Sequence, residues 1–242
     1  MIDCHIHILP KLDDGAKSID EALAMAKMAY DSGVSKIIVT PHANHYRYQN
    51  YYDEKLKQAF NQFKAYLANS LPQLEIYLGM EIYATNDLIN KIKNNEVIGL
   101  NHSRYYLIEF DFNTSIDKIN DMLKEILALN KIPVIAHPER YRSVQLEPWV
   151  VFTWLKTGCL TQLNKDSVFG MFGKTVQITA KKLLDYNLVS LIASDSHDNI
   201  YRLSNMDEIQ DFLELNYGLD YSYKLLYDHP LAIVNDDILF EK

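Results

Sequence analysis

The chain has 242 residues, 48% hydrophobic and 23% charged, enough apolar material to bury a full core in one large unit. A formal net charge of −8 with no concentrated basic patch argues against a nucleic-acid partner, since Lys181 and Lys182 read as one solvated helix face. Without an apolar run of about 18 residues or a basic-then-apolar leader, no membrane insertion and a cytoplasmic location are expected, and two cysteines, Cys4 and Cys159, cannot build a disulfide framework.

The first run, IDCHI, reads as a strand with Asp3, His5 and His7 on one face and Ile2, Cys4, Ile6 and Ile8 on the other. A helix follows in SIDEALAMAKMAYDSG, with Ser18 and Glu21 as a capping box and Gly33 as a stop. The alternation continues through SKIIVT (strand), DEKLKQAFNQFKAYLANS (helix), LEIYLGM and YYLIEF (strands), SIDKINDMLKEILALN (helix) and KIPVIAH (strand). It ends with EPWVVFTWLKTG (helix), CLTQLN (strand), VQITAKKLLDYN (helix), LVSLIASDS (strand) and the closing helix NMDEIQDFLELNYG. Strands that are apolar on both faces imply parallel pairing under covering helices. A seven- or eight-stranded α/β barrel fits better than an open doubly wound sheet, because the G-x-G-x-x-G fingerprint is missing. The stretch GMFGKT at 170–175 is no phosphate-binding loop, since Val168 stands where such a loop begins with Gly. No repeat, low-complexity tract or linker divides the chain, so one domain over residues 1–242 is expected.

In a barrel the chemistry gathers at the C-terminal ends of the strands. Here His5 and His7 close the first run, His42 follows SKIIVT, Glu81 follows LEIYLGM and Glu109 follows YYLI. His137 follows KIPVIA, Asn164 ends CLTQL, and Asp195 and His197 follow LVSLIAS. Imidazole and carboxylate suit Zn, Mn and Fe, and so many acids around one point would repel each other without cations. A lone Glu at a strand end is usually a cap or a surface charge, but the same coincidence at nearly every strand points to a metal cluster. Thiolate zinc sites are excluded because neither cysteine has a second nearby. Cysteine-dependent phosphatase chemistry is excluded because Pro10 and Lys165 stand where its arginine would be.

The ordered segments HIH, LDDG, TPH, GMEIY, IEF, AHPERY, QLN and ASDSH resemble the PHP (polymerase and histidinol phosphatase) superfamily. HPERY, QLN followed by GMFGK, and ASDSH with a following Arg narrow the resemblance to bacterial tyrosine phosphatases that act beside capsule and exopolysaccharide tyrosine kinases. The resemblance implies a distorted TIM-like (β/α)7 barrel holding three divalent metal ions, Mn first, with Fe or Zn as alternatives. By the same resemblance His5, His7, Glu81 and Asp195 hold the first, Glu81, Glu109 and His137 the second, and Asp14, His42 and His197 the third. LDDG offers both Asp13 and Asp14, and Asp14 is chosen on resemblance alone. Arg140 and Arg202 match the phosphate-binding arginines. The implied partner is the phosphotyrosine tail of a bacterial tyrosine kinase, and a homo-oligomer is left open. ANHYRY departs from the usual second His and Gly-containing loop after His42, which leaves His45 as a rim residue.

A set of cations exceeding its carboxylate charge suits a phosphate dianion, with a metal-activated water as nucleophile and the two arginines on the equatorial oxygens. A phenol of pKa about 10 leaves with little help, which favours phosphotyrosine over an alkyl phosphate. The tyrosines of HYRYQNYYDE at 45–54 read either as an aromatic rim for that ring or as a surface loop. Asp3 shares the face of His5 and His7 and is expected, at most, as a partner to one of them. Two other readings stay open at this point: a histidinol-phosphate phosphatase of the same fold, and a non-catalytic phosphotyrosine-binding module.

Overall fold

A computed structural model describes residues 1–239. In chain order the elements are β1 (Ile2–Ile6), α1 (Ile19–Asp31), β2 (Lys36–Val39), β3 (His42–Ala43), α2 (Glu54–Ser70), β4 (Glu75–Leu78), β5 (Glu81–Tyr83) and α3 (Leu88–Lys93). They continue with β6 (Tyr105–Glu109), α4 (Ile116–Ala128), β7 (Ile132–Ala136), α5 (Arg142–Leu146), α6 (Val150–Lys156), β8 (Leu160–Asn164), α7 (Lys165–Phe169) and α8 (Lys174–Asp185). β9 (Leu191–Ala193), α9 (Asp207–Tyr217), α10 (Leu219–Tyr223) and α11 (His229–Asn235) complete the described chain.

All strand pairs are parallel, in one sheet of order β1-β2-β4 and a second of order β3-β5-β6-β7-β8-β9. Each of the seven apolar runs forms strand, but two of them break. SKIIVT stops before Pro41, which has no N–H to give a ladder. LEIYLGM breaks at Gly79, where a Cβ would come within 2.9 Å of Ile38 Cγ2. Backbone bonds bridge both breaks, with Gly79 N donating to Val39 O (2.8 Å) and Glu81 N to Pro41 O (3.2 Å). On the far side the two sheets meet where His7 N donates to Ser196 O (2.9 Å) and Asp195 N to His5 O (2.8 Å).

Alternation sorts the apolar side chains into two bodies. Ile37 and Val39 turn outward to helices, packing with Met25, Ala26, Phe63 and Leu67. Their neighbour Ile38 turns inward, into a cluster with Ile2, Cys4, Leu107, Val134, Ala136, Leu160 and Leu191, closed at one end by Ile233 and Val234 of α11. Each fully buried aliphatic side chain contributes about 1.5–3 kcal/mol. Cys4 is a small core thiol, as its strand face implies. The capping of α1 differs in one detail: Ser18 Oγ accepts from Glu21 N (3.2 Å), but the Glu21 carboxylate reaches Lys17 N (2.7 Å) instead of Ser18 N. Among the described residues no helix is long and apolar enough to cross a membrane.

Candidate active site

The ends of the strands deliver their polar side chains to one cavity of about 160 Å³, whose wall includes Asp14, His42, Glu81, Glu109, His137, Arg140, Asp195, His197 and Arg202. His5 and His7 lie beneath it, fully buried. Local backbone geometry aims these groups. His137 (φ 33°), directly after β7, and Asp195 (φ 50°), two residues past β9, both adopt the left-handed region, a strain of order 1–3 kcal/mol each, and both line the cavity. Gly15 lets the LDDG loop fold onto the first strand end, because a Cβ there would lie 2.0 Å from His7 O.

Three groups of donor atoms emerge: His5, His7 and Glu81; His42, Glu81 and Glu109; and His7, Asp14, His42 and His197. Asp195 Oδ1 stands 3.4 Å from His5 Nε2, and His137 Nε2 lies 3.0 Å from Glu81 Oε1 and 3.8 Å from Glu109 Oε1. All nine side chains expected as ligands are thus brought together. The grouping differs from the expected partition in that His7 and His42 each face two groups. Of the adjacent acids in LDDG, Asp14 faces His42 Nε2 (3.4 Å) and His197 Nε2 (3.6 Å). Asp13 turns away to accept from His7 Nδ1 (2.9 Å) and from the backbone of His42 and Gly15 (2.8 and 3.0 Å).

Hydrogen bonding fixes what these imidazoles offer. His5 Nδ1 is bonded to Gln162 Oε1 (2.8 Å) and His7 Nδ1 to a carboxylate; both partners accept, so both histidines donate there. In the neutral rings the two Nε2 atoms then carry lone pairs, yet they meet at 3.2 Å. His42 Nδ1 similarly stands 2.9 Å from Glu81 Oε2 without hydrogen-bond geometry, and both atoms are buried and unpartnered, as are Glu109 Oε2 and His137 Nδ1. Converging lone pairs of imidazole and carboxylate are the donor set of a divalent cation, so these residues fit a metal centre.

The crowding also shows in the electrostatics: burial opposes the charged imidazoles, yet Glu81 and Asp195 raise His5 and Asp13 raises His7 well above the ordinary value, so a bound cation would take the place of these protons. Burial resists ionisation of Glu81 and Asp195, yet His5 and His42 beside the first, and Arg202 and His5 beside the second, hold both carboxyls well below the usual range. Glu109 is pushed up to about 8 by burial and by the charge of Glu81. Burial lowers His137 to about 4, and burial with the charge of His7 keeps His197 well below the ordinary imidazole value.

Arg202 Nη2 reaches Asp195 Oδ2 (2.5 Å), and Arg140 Nη1 approaches the same oxygen (3.6 Å). Arg140 packs between Phe112 and Phe172, with its Cζ 4.5 and 4.6 Å from the ring centres. Arg140 does not pair with its neighbour Glu139, which is buried behind the site accepting from Ser167 Oγ (2.6 Å) and Asn164 N (3.1 Å). Three sequence expectations need correction or extension. Asp3 is no partner of an imidazole: it accepts from the backbone N–H of His5 (3.3 Å) and from Ser194 Oγ (2.6 Å), clamping β1 to the end of β9. His45 lines the cavity with Tyr46 and Tyr48 as a rim residue would, and in addition its ring is largely buried and stacked on His42 with centroids 5.2 Å apart. Gln162 went unrecognised, although a polar side chain in the buried strand LTQLN was itself a signal.

A profile for capsular polysaccharide synthesis, CpsB/CapC, matches residues 1–235. The chain is 40% identical to a putative tyrosine-protein phosphatase CapC of Staphylococcus aureus over 238 residues, covering 98% of this chain and 93% of that one. It is 35% identical to the tyrosine-protein phosphatase CpsB of Streptococcus pneumoniae, covering 99% and 100%. Among solved structures it resembles one described with YwqE of Bacillus subtilis and CpsB of Streptococcus pneumoniae as unique metal-dependent tyrosine phosphatases. That likeness has a TM-score of 0.92 at 30% identity, over 100% of this chain and 97% of the other. Since the match takes in every strand end that feeds the cavity, the chain belongs to the capsular polysaccharide synthesis CpsB/CapC family.

Proposed function

We propose that the protein is a metal-dependent protein-tyrosine phosphatase that removes phosphate from the tyrosine-rich tail of a kinase controlling capsule or exopolysaccharide synthesis. The observation that carries this reading is the meeting of His5 Nε2 and His7 Nε2 at 3.2 Å inside a ring of carboxylates, with two arginines at its edge. The sheets act as one seven-stranded (β/α)7 barrel in a single domain in the cytoplasm, a reading supported by the bonds between β1 and the end of β9 and by the interior cluster. His5, His7, Glu81 and Asp195 hold one cation, Glu81, Glu109 and His137 a second, and Asp14, His42 and His197 a third, with Mn²⁺ the first choice.

Bound divalent cations supply Lewis acidity, lowering the pKa of water and drawing charge from phosphate oxygens. The chain's own residues prepare the rest. Gln162 and Asp13 lock His5 and His7 in the tautomers that face inward. Asp195 draws Arg140 and Arg202 to one edge, where each planar guanidinium can take an equatorial oxygen as charge builds there. A phenolate leaves with a pKa of about 10, so no dedicated proton donor is required.

Steady-state kinetics test this. Mn²⁺-loaded enzyme is expected to hydrolyse p-nitrophenyl phosphate and phosphotyrosine peptides, to lose that activity in chelator and to regain it with metal. Faster turnover of histidinol phosphate than of phosphotyrosine would overturn the substrate. Activity that survives exhaustive chelation would overturn the metal chemistry.

A further inference from the structure

Arg47 is the one arginine of the cavity wall that is not drawn to Asp195. It sits in a tight turn, where His45 N donates to Tyr48 O (3.3 Å) and Tyr48 N to His45 O (3.1 Å). Gln49 Nε2 donates to His45 O (2.8 Å), and Asn50 Nδ2 ties the segment to Leu12 O and His42 O (3.0 and 2.9 Å). The turn is therefore built, and it holds its tip at the mouth of the site. Arg47 N donates to His45 Nδ1 (3.2 Å), and its guanidinium lies over the exposed face of Tyr46, 5.3 Å from the ring centre. Among the described residues it forms no ion pair, in a chain with 32 acids and 24 lysines and arginines. An unpaired guanidinium resting on an aromatic face keeps all its planar donors for a visitor.

Resting on the phosphatase reading, we infer that Arg47 is a specificity-determining residue: it binds a second negative charge close to the phosphotyrosine on the same peptide. The scissile phosphate is served deeper in the cavity by Arg140 and Arg202, so the charge of Arg47 is surplus to the chemistry. The chemistry it recognises is an anionic group, supplied either by an Asp or Glu side chain or by a second phosphotyrosine. The interaction is solvent-exposed, so its effect is modest, falls with ionic strength and acts on binding.

The test compares metal-loaded wild type and Arg47→Gln on three peptides: one with acidic neighbours to the phosphotyrosine, one with neutral neighbours, and one doubly phosphorylated with neutral neighbours. Wild type is expected to prefer one or both charged peptides, and in R47Q that preference, as a ratio of kcat/KM to the neutral peptide, falls by about fivefold. The fall is expected in KM, with Arg47→Lys restoring part of it and added salt abolishing the preference in wild type. A loss confined to one charged peptide identifies the source of the charge. An unchanged ratio for both, or a fall in kcat alone, overturns the inference. Hydrolysis of p-nitrophenyl phosphate and of the neutral peptide by wild type is scored separately, since its absence would sink the phosphatase reading instead.

Discussion

Two residues outside the proposed ligand set, Gln162 and Asp13, decide what the imidazoles offer, and the first opens a closed path. His5 Nδ1 meets Gln162 Oε1 (2.8 Å), Gln162 Nε2 donates to Asn164 Oδ1 (2.8 Å), and Asn164 Nδ2 donates to Asp195 Oδ2 (2.5 Å), which already faces His5 through its other oxygen. The path fixes the ring and the carboxylate together. Replacing Gln162 by Leu leaves His5 Nδ1–H and Asn164 Oδ1 buried without partners, a cost of about 1–3 kcal/mol each. It also frees His5 to take the other tautomer, so metal affinity should fall about 10–100-fold. Competition against a chromogenic chelator measures this, and Gln162→Glu, which keeps an acceptor, should recover part of the loss. Equal affinities in wild type and Gln162→Leu would refute the positioning role. The histidines were legible in the sequence because strand alternation put them on one polar face. The choice between Asp13 and Asp14 was not, because adjacent acids in one loop carry the same local signal. Only the tertiary approach of His7 and His42 separates them.

At the scale of elements, the seven apolar runs and their helices were readable from periodicity, while the breaks in two strands were not. A Pro after SKIIVT and a Gly in LEIYLGM were visible, but a close approach to Ile38 and Leu100 is a property of packing and cannot be read from either residue alone. Loops show the same division. ASDSH supplies two of the proposed ligands, yet the turn after it is shaped by Asp198, whose Oδ1 accepts from the backbone N–H of Ile200, Tyr201 and Arg202 (2.7, 2.5 and 3.4 Å). Ser196 Oγ adds a bond to Arg202 O (2.6 Å), so the segment presents Arg202 to Asp195. Asp198→Ala removes those acceptors from an exposed turn and lets the arginine wander. The expected outcome is a fall of about tenfold in kcat/KM for phosphotyrosine, since an oriented charge-assisted contact is worth about 1.5–3 kcal/mol and only part of it is lost. Metal content should stay at the wild-type level, and a variant that loses metal together with activity would show that Asp198 serves the cation site instead.

On the scale of the whole molecule, the end of the sheets remote from the cavity is closed by α11, which no sequence pattern announced. Asn101 Nδ2 donates to Val234 O (2.9 Å), Tyr105 Oη to Asp237 O (2.6 Å), and Arg104 Nε to Asp236 Oδ1 (2.9 Å). The first residue of this helix, His229, is buried, and its Nδ1 lies 2.6 Å from the carbonyl of Ser190, which can only accept. Burial lowers its pKa, with the charge of Lys224 acting the same way and the Ser190 bond and Asp228 acting against. The sign of the pH effect follows from that depression. Above the unfolded value of about 6.5 both states are neutral and the histidine costs nothing. As pH falls through it, the unfolded chain takes up a proton that the folded chain refuses, and stability drops until the folded value is passed. His229→Asn keeps a side-chain donor for Ser190 without a titrating ring. Between about pH 7.5 and pH 5.5 the urea midpoint of wild type should therefore fall further than that of H229N. Carboxylates elsewhere are common to both proteins and cancel in the difference. Parallel pH profiles for the two proteins would place the acid sensitivity elsewhere and leave His229 as packing alone.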